Sequence, residues 1–148
     1  MRMRTNMLFV VMSVFFFQPT VADVAPEQAA GHQPLAVYKE ALNYLLGRNG
    51  KAKSPEKAAA LFKSLAEQNW AAAQHMLGNL YMRGKGVEKN DLLAYKWLSI
   101  ASRNNIQLAQ AIRDKRKILQ NRLSIENLQQ VEKWIADWQP DTDLVSIN

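Results

Sequence analysis

Residues 54 to 57 read Ser-Pro-Glu-Lys, a hydroxyl three residues ahead of an ammonium. That spacing is the nucleophile motif of penicillin-recognising enzymes, in which a lysine assists a serine. Its usual companions, Ser-Asp-Asn and Lys-Thr-Gly, are absent from the chain. Ser54 also has a simpler task, because a serine followed by proline and glutamate is the signature of a helix N-cap. His32 and His75 are the only histidines and lie far apart, so neither a Ser-His dyad nor a metal pair is indicated. Asp141 and Asp143 read as solvated carboxylates, and the scattered Glu and Lys as helix surface. Arg113-Asp-Lys-Arg-Lys117 gathers charge but lacks the interleaved aromatics of a nucleic-acid surface. The chemistry of the residues thus points away from catalysis: the chain is expected to be no enzyme, with no cofactor, no metal and no nucleic-acid partner.

The start of the chain suggests where it works. Arg2 and Arg4 precede an apolar run from Met7 to Phe17, interrupted only by Ser13, and the segment Gln-Pro-Thr-Val-Ala closes on small residues before Asp23. This is the order of a cleavable secretory signal, expected over residues 1–22. The run is too short to span a bilayer, which takes about 20 apolar residues. No cysteine occurs, so neither a lipid anchor at the cleavage site nor a disulfide is available. A periplasmic or secreted product is expected, with no membrane span after cleavage. Removing Arg2 and Arg4 from 19 basic residues leaves 17 against 13 acidic ones, a mild positive bias that favours acidic partners weakly.

Residues 23–33, DVAPEQAAGHQ, mix proline, glycine and polar groups without a period and read as a flexible arm. Residues 34–139 are helical in pattern. Apolar residues recur at three and four: Leu77, Leu80, Tyr81, Gly84; Leu93, Ala94, Trp97, Ala101; Leu128, Val131, Ile135, Trp138. Ser54, Asn90 and Ser124 stand where N-caps belong, and Pro140 closes the last helix. Six helices are predicted, at 34–47, 55–68, 71–83, 91–103, 106–122 and 125–138, followed by a disordered tail at 140–148.

The helices repeat. Setting residue n against n + 36 aligns Leu45 with Tyr81, Gly50 with Gly86, Ser54 with Asn90, Ala58 with Ala94 and Leu61 with Trp97. Two helices per period of this length mark an α-solenoid, in which each hairpin buries its apolar face against the next. Gly78 interrupts a helix at a cost of about 1 kcal/mol relative to alanine, so it is expected where a partner helix passes closely, with Ala94 across from it. Gly84 and Gly86 release the chain into a turn at positive φ.

The stretch AAAQHMLGNLYMRGKGVEKNDLLAYKWLSIAS resembles a Sel1-like repeat, a relative of the tetratricopeptide repeat, through Leu77, Gly78, Tyr81, Gly84, Gly86, Val87, Asn90, Ala94, Trp97 and Ala101. In this register the preceding unit, 37–70, is degenerate: Leu42 replaces the packing glycine, Arg48 the first turn glycine and Lys51 the valine. The last pair shifts register and reads as an atypical capping hairpin. The resemblance implies an all-α fold, a short right-handed α-solenoid of about three hairpins, and a function in binding another protein as an exported adaptor or regulator. Two alternatives stay open: an immunity or inhibitor protein that blocks a secreted toxin such as a lipase effector, and an envelope accessory that binds anionic lipid or glycan. Weak self-association is a further option.

Two surfaces are candidates for that binding. A groove would be lined by His75, Asn79 and Met82, opposite the apolar stripe, and by their counterparts 36 residues earlier, Lys39, Asn43 and Leu46. A basic edge would gather Arg48, Lys51 and Lys53 from the first turn, Arg83, Lys85 and Lys89 from the second, and Arg122 from the third.

Overall fold

The computed structural model describes residues 26–140, with side chains from residue 33 onward. The expected signal at 1–22, the first residues of the arm and Asp141 to Asn148 lie outside the described residues. Six helices follow one another: α1 (Pro26–Leu46), α2 (Pro55–Glu67), α3 (Ala71–Arg83), α4 (Asp91–Asn104), α5 (Ile106–Gln120) and α6 (Ile125–Ala136). Five of the six start and stop within about two residues of the periodicity, and the caps explain why. Ser54 Oγ accepts from Lys57 N–H at 3.3 Å, Asn90 Oδ1 from Leu93 N–H at 2.9 Å, and Ser124 Oγ from Asn127 N–H at 3.2 Å. Asn105 accepts from both Gln107 and Leu108 to start α5. Each satisfies helix-terminal donors that would otherwise lack partners.

α1 departs from expectation. It begins at Pro26, so the segment read as a flexible arm is helical from that residue on, and Pro34 lies inside the helix. Proline at a first helical turn costs nothing, because that N–H has no helical acceptor. Pro34 lies deeper, where it lacks a helical N–H and its ring crowds the preceding turn, yet the helix continues through it.

The backbone also corrects the repeat register. Ser54 N–H donates to Tyr44 O, and Asn90 N–H donates to Tyr81 O. Gly47 and Arg48 both donate to Asn43 O, as Gly84 and Lys85 both donate to Leu80 O. The first helices therefore match at a spacing of 37 (81 less 44, 84 less 47), while the caps match at 36 (90 less 54), the first turn being one residue longer. Ala41, not Leu42, holds the place of Gly78, and Gly47, not Arg48, holds that of Gly84. Both turn residues have positive φ, 68° at Gly47 and 64° at Gly84. The first unit is thus far less degenerate than a uniform spacing of 36 makes it.

Two glycines set how closely the layers approach. A β-carbon on Gly78 would lie 2.7 Å from Leu98 Cγ and 3.2 Å from Leu98 N. The residue opposite is Leu98, one turn beyond the expected Ala94, which is itself fully buried elsewhere in the core. A β-carbon on Gly86 would lie 2.1 Å from Pro55 O. The turn between α3 and α4 is thereby seated on the start of α2, which puts both turns at one end of the molecule.

α4 is the central element. Ala94, Tyr95, Trp97, Leu98, Ser99, Ile100 and Ala101 are all buried, because α3 covers one side while α5 and α6 are both laid against others. Tyr95 Oη donates to Glu132 Oε1 at 2.8 Å, and Arg103 donates to Ile135 O at 2.8 Å. The ring of Trp97 meets that of Trp138 edge to face, with centroids 6.3 Å apart. A buried amide fastens the other end: Gln74 donates to Ala66 O at 3.1 Å and accepts from Asn104 Nδ2 at 3.1 Å.

The glycines give a graded test by equilibrium denaturation. Gly78→Ala should destabilise by about 1–3 kcal/mol through overpacking against Leu98, reversing alanine's usual helix advantage. Gly86→Ala should cost at least as much, since it meets rigid backbone and carries positive φ. Gly50→Ala has positive φ but nothing within 4 Å, so about 1–2 kcal/mol is expected from conformation alone.

Candidate functional site

The side chains with the most unusual surroundings lie where α5 crosses the outer face of α3. Lys115 Nζ donates to Asn79 Oδ1 at 2.8 Å and sits 3.2 Å from His75 Nε2. Asn79 in turn donates to His75 O at 2.8 Å. An ammonium has only donors, so the contact makes His75 Nε2 the acceptor and leaves its proton on Nδ1. Burial pushes the His75 pKa below its ordinary value, and the charge of Lys115 adds to the effect. Burial likewise lowers Lys115, with the Arg83 charge contributing. Lys115 thus holds its place by two neutral acceptors, and no described carboxylate forms an ion pair with it or with Arg83.

His75 and Asn79 are therefore brought together as the sequence indicates, but Lys115 completes the constellation and was not among the candidates. A signal for it exists. Leu108, Ile112 and Leu119 define the stripe that α5 buries, and Lys115 falls three and four residues from the latter two, a charged residue on an apolar face. The remaining groove candidates go elsewhere. Met82 packs against the core. Lys39, Asn43 and Leu46 line a separate hollow of about 420 Å³ with Arg48 and Asn49, where Asn43 accepts from Asn49 Nδ2 at 2.9 Å. The one-residue shift of register is the cause: the α1 positions matching His75 and Asn79 are Tyr38 and Leu42. Tyr38 is committed to packing, edge-on to Phe62 at 5.4 Å and stacked on Trp70 at 6.4 Å.

The basic edge is partly neutralised. Lys51 pairs with Glu40 at 3.1 Å and lies 5.0 Å from the centre of the Tyr44 ring; the Glu40 hydrogen bond raises its pKa. Arg122 pairs with Asp91 at 3.7 Å. Arg48, Lys53, Arg83 and Lys89 are exposed and Lys85 is half-buried, so five of the seven cations remain at the turn end without an ion pair to a described residue. Ser54 is engaged as a cap and donates to Glu56 Oε2 at 3.2 Å, while the ammonium of Lys57 lies over the Tyr44 ring at 5.4 Å. The hydroxyl and the ammonium thus each have a separate structural task.

Comparison with known proteins agrees with this architecture. The family model described as Sel1 repeat matches residues 34–70 and 71–106, units of 37 and 36 residues that reproduce the longer first turn. Among solved structures, a protective antigen present in uropathogenic Escherichia coli strains, displaying an SLR fold, superposes with a TM-score of 0.62 at 32% identity. The alignment covers 72% of this chain and 22% of that one, so the chain spans less than a quarter of that protein's length. No curated protein matches.

The His75 environment makes a sign-definite prediction. Its folded pKa lies below the ordinary value of 6.5, so on acidification the unfolded chain takes up the proton first and stability falls. Above pH 6.5 the contribution is fully present; it is lost as pH drops through 6.5 toward the lowered folded value. The melting temperature of the wild type should fall between pH 7 and 5 by more than that of His75→Gln, measured by circular dichroism; parallel curves for the two would contradict the assignment.

Proposed function

The chain is a Sel1-like repeat protein, and from that premise we propose that it is a non-enzymatic protein-binding module, an exported adaptor or regulator of the bacterial envelope, whose partner docks on the face shared by α3 and α5. One observation carries the choice of face: the Lys115, His75 and Asn79 constellation is preassembled across two helices, and the cations there have no ion pair with a carboxylate among the described residues. An acidic segment of a partner would supply one. Preorganisation of this kind lowers the entropic cost of docking.

Other features support the reading. Stacked helical repeats present extended surfaces to other chains. No described helix is long and apolar enough to cross a membrane, which fits a product released by signal cleavage. The structural relative is described as a protective antigen, which fits a chain that leaves the cytoplasm. The occupied roles of Ser54 and Lys57 argue for a scaffold over a serine hydrolase.

The test uses the chain from residue 23 as bait in an envelope extract. A specific partner should be retained by wild type and by Lys53→Glu, Lys85→Glu, Lys89→Glu, and lost about tenfold or more with His75→Glu, Asn79→Arg. Loss with the turn variant alone would move the interface to the basic edge, and retention of no protein by any bait would count against a binding module. Fractionation of cells carrying the full chain should place the processed product in the periplasm or medium; an unprocessed cytoplasmic product would remove the export half of the proposal.

A further inference from the structure

We propose that the cleft between α4 and α6, on a different side of α4 from the α3 contact, is a carbohydrate site that takes a hexopyranose oligosaccharide. The cleft encloses about 470 Å³ and is lined by Leu93, Lys96, Trp134, Asp137, Trp138 and Gln139. Trp134 is 38% exposed, among the few large apolar side chains of the described residues that solvent reaches. Trp138 is half-buried against Trp97 and stiffens the floor. Lys96 Nζ lies 5.1 Å from the ring centre of Trp97 and 6.0 Å from that of Trp134, with no ion pair to a described residue. Burial lowers its pKa, opposed by the charge of Glu67.

The mixture of groups selects the ligand. A pyranose ring is apolar on its faces and hydrogen-bonding around its rim, so one surface can stack on an indole while hydroxyls reach donors and acceptors beside it. Lys96 offers only donors, Asp137 only acceptors, and Gln139 both. An apolar peptide side chain would bury Lys96 and Asp137 without partners, which costs more than the burial returns. A small inorganic anion would leave the indole unused and would face the Asp137 carboxylate. An open, shallow cleft with an aromatic platform and a polar rim of both signs is satisfied by a sugar.

The site reports on itself, since Trp97, Trp134 and Trp138 are three of the chain's four tryptophans. Tryptophan emission of the chain from residue 23 should change saturably with the tetramer of N-acetylglucosamine or of glucose. Trp134→Ala and Asp137→Ala should each lower the association constant about tenfold, Trp134→Phe should retain part of it, and all three should keep the wild-type helical circular dichroism and melting temperature. Lys115→Glu should leave sugar binding unchanged, so this proposal and the protein-docking face stand or fall separately. No saturable change with either tetramer, or a change indifferent to Trp134→Ala, overturns the assignment. A saturable response to an acidic, aromatic peptide in place of both sugars also overturns it, and gives the cleft to polypeptide recognition.

Discussion

The approach of α3 to α4 at Gly78 is the constraint on which the rest of the molecule depends. Leu98 fills the space that any β-carbon at position 78 would occupy, and its backbone nitrogen lies only slightly farther away. With the two helices that close, α4 is buried along most of its length, and it can then carry α5 and α6 on its remaining sides. A larger residue at 78 would displace α4, and with it every contact made by the terminal pair, including Tyr95 to Glu132 and Arg103 to Ile135. Gly86 plays the corresponding part between units. It seats the second turn on the start of α2 and couples the first hairpin to the second, the nearest-neighbour interface from which a solenoid draws its stability.

Much of this architecture was legible because helical punctuation is local. Ser54, Asn90 and Ser124 announce helix starts through side-chain chemistry that needs no tertiary context, and the glycines announce turns through backbone geometry. The register of the first unit was harder to read, since one extra turn residue moves every α1 position while leaving the cap spacing intact. Only the bonds from Ser54 to Tyr44 and from Asn90 to Tyr81 resolve it. Ala94, the expected neighbour of Gly78, fits a pattern of small residue against small, but the neighbour is Leu98. In the structure a glycine admits a large side chain, the complementary way to fill a helix interface. The helix through Pro34 was hidden because a proline, a glycine and polar residues without an apolar period resemble a linker, and because a proline inside a helix both removes a bond and crowds the preceding turn.

The candidate site was half legible for a related reason. His75 and Asn79 could be placed on one face of α3 from angular spacing alone, but the face opposite them is set by how α5 crosses, which is a tertiary fact. Lys115 stands out only once the buried stripe of Ile112 and Leu119 is set beside it, as a charge within that stripe. Its meaning depends on finding two neutral acceptors from another helix. A lysine in such a place is costly unless its donors are met, and His75 and Asn79 meet them without cancelling the charge. The result is a cation held in position by neutral groups, unlike Lys51, which has a carboxylate partner in Glu40.

The distribution of these features follows from the repeat itself. Residues 34–106 match the Sel1 repeat, and within them α2, α3 and α4 each lie between neighbouring helices. α5 and α6 follow the second repeat and are laid against α4. Lys115 and Trp134 come from these two helices, and Asp137 and Trp138 from the residues just after α6. The two repeats therefore supply a platform, through α3 and α4, while α5, α6 and the residues after α6 bring charged and aromatic groups to it. Chemistry that a repeat pattern cannot encode is added where the pattern stops.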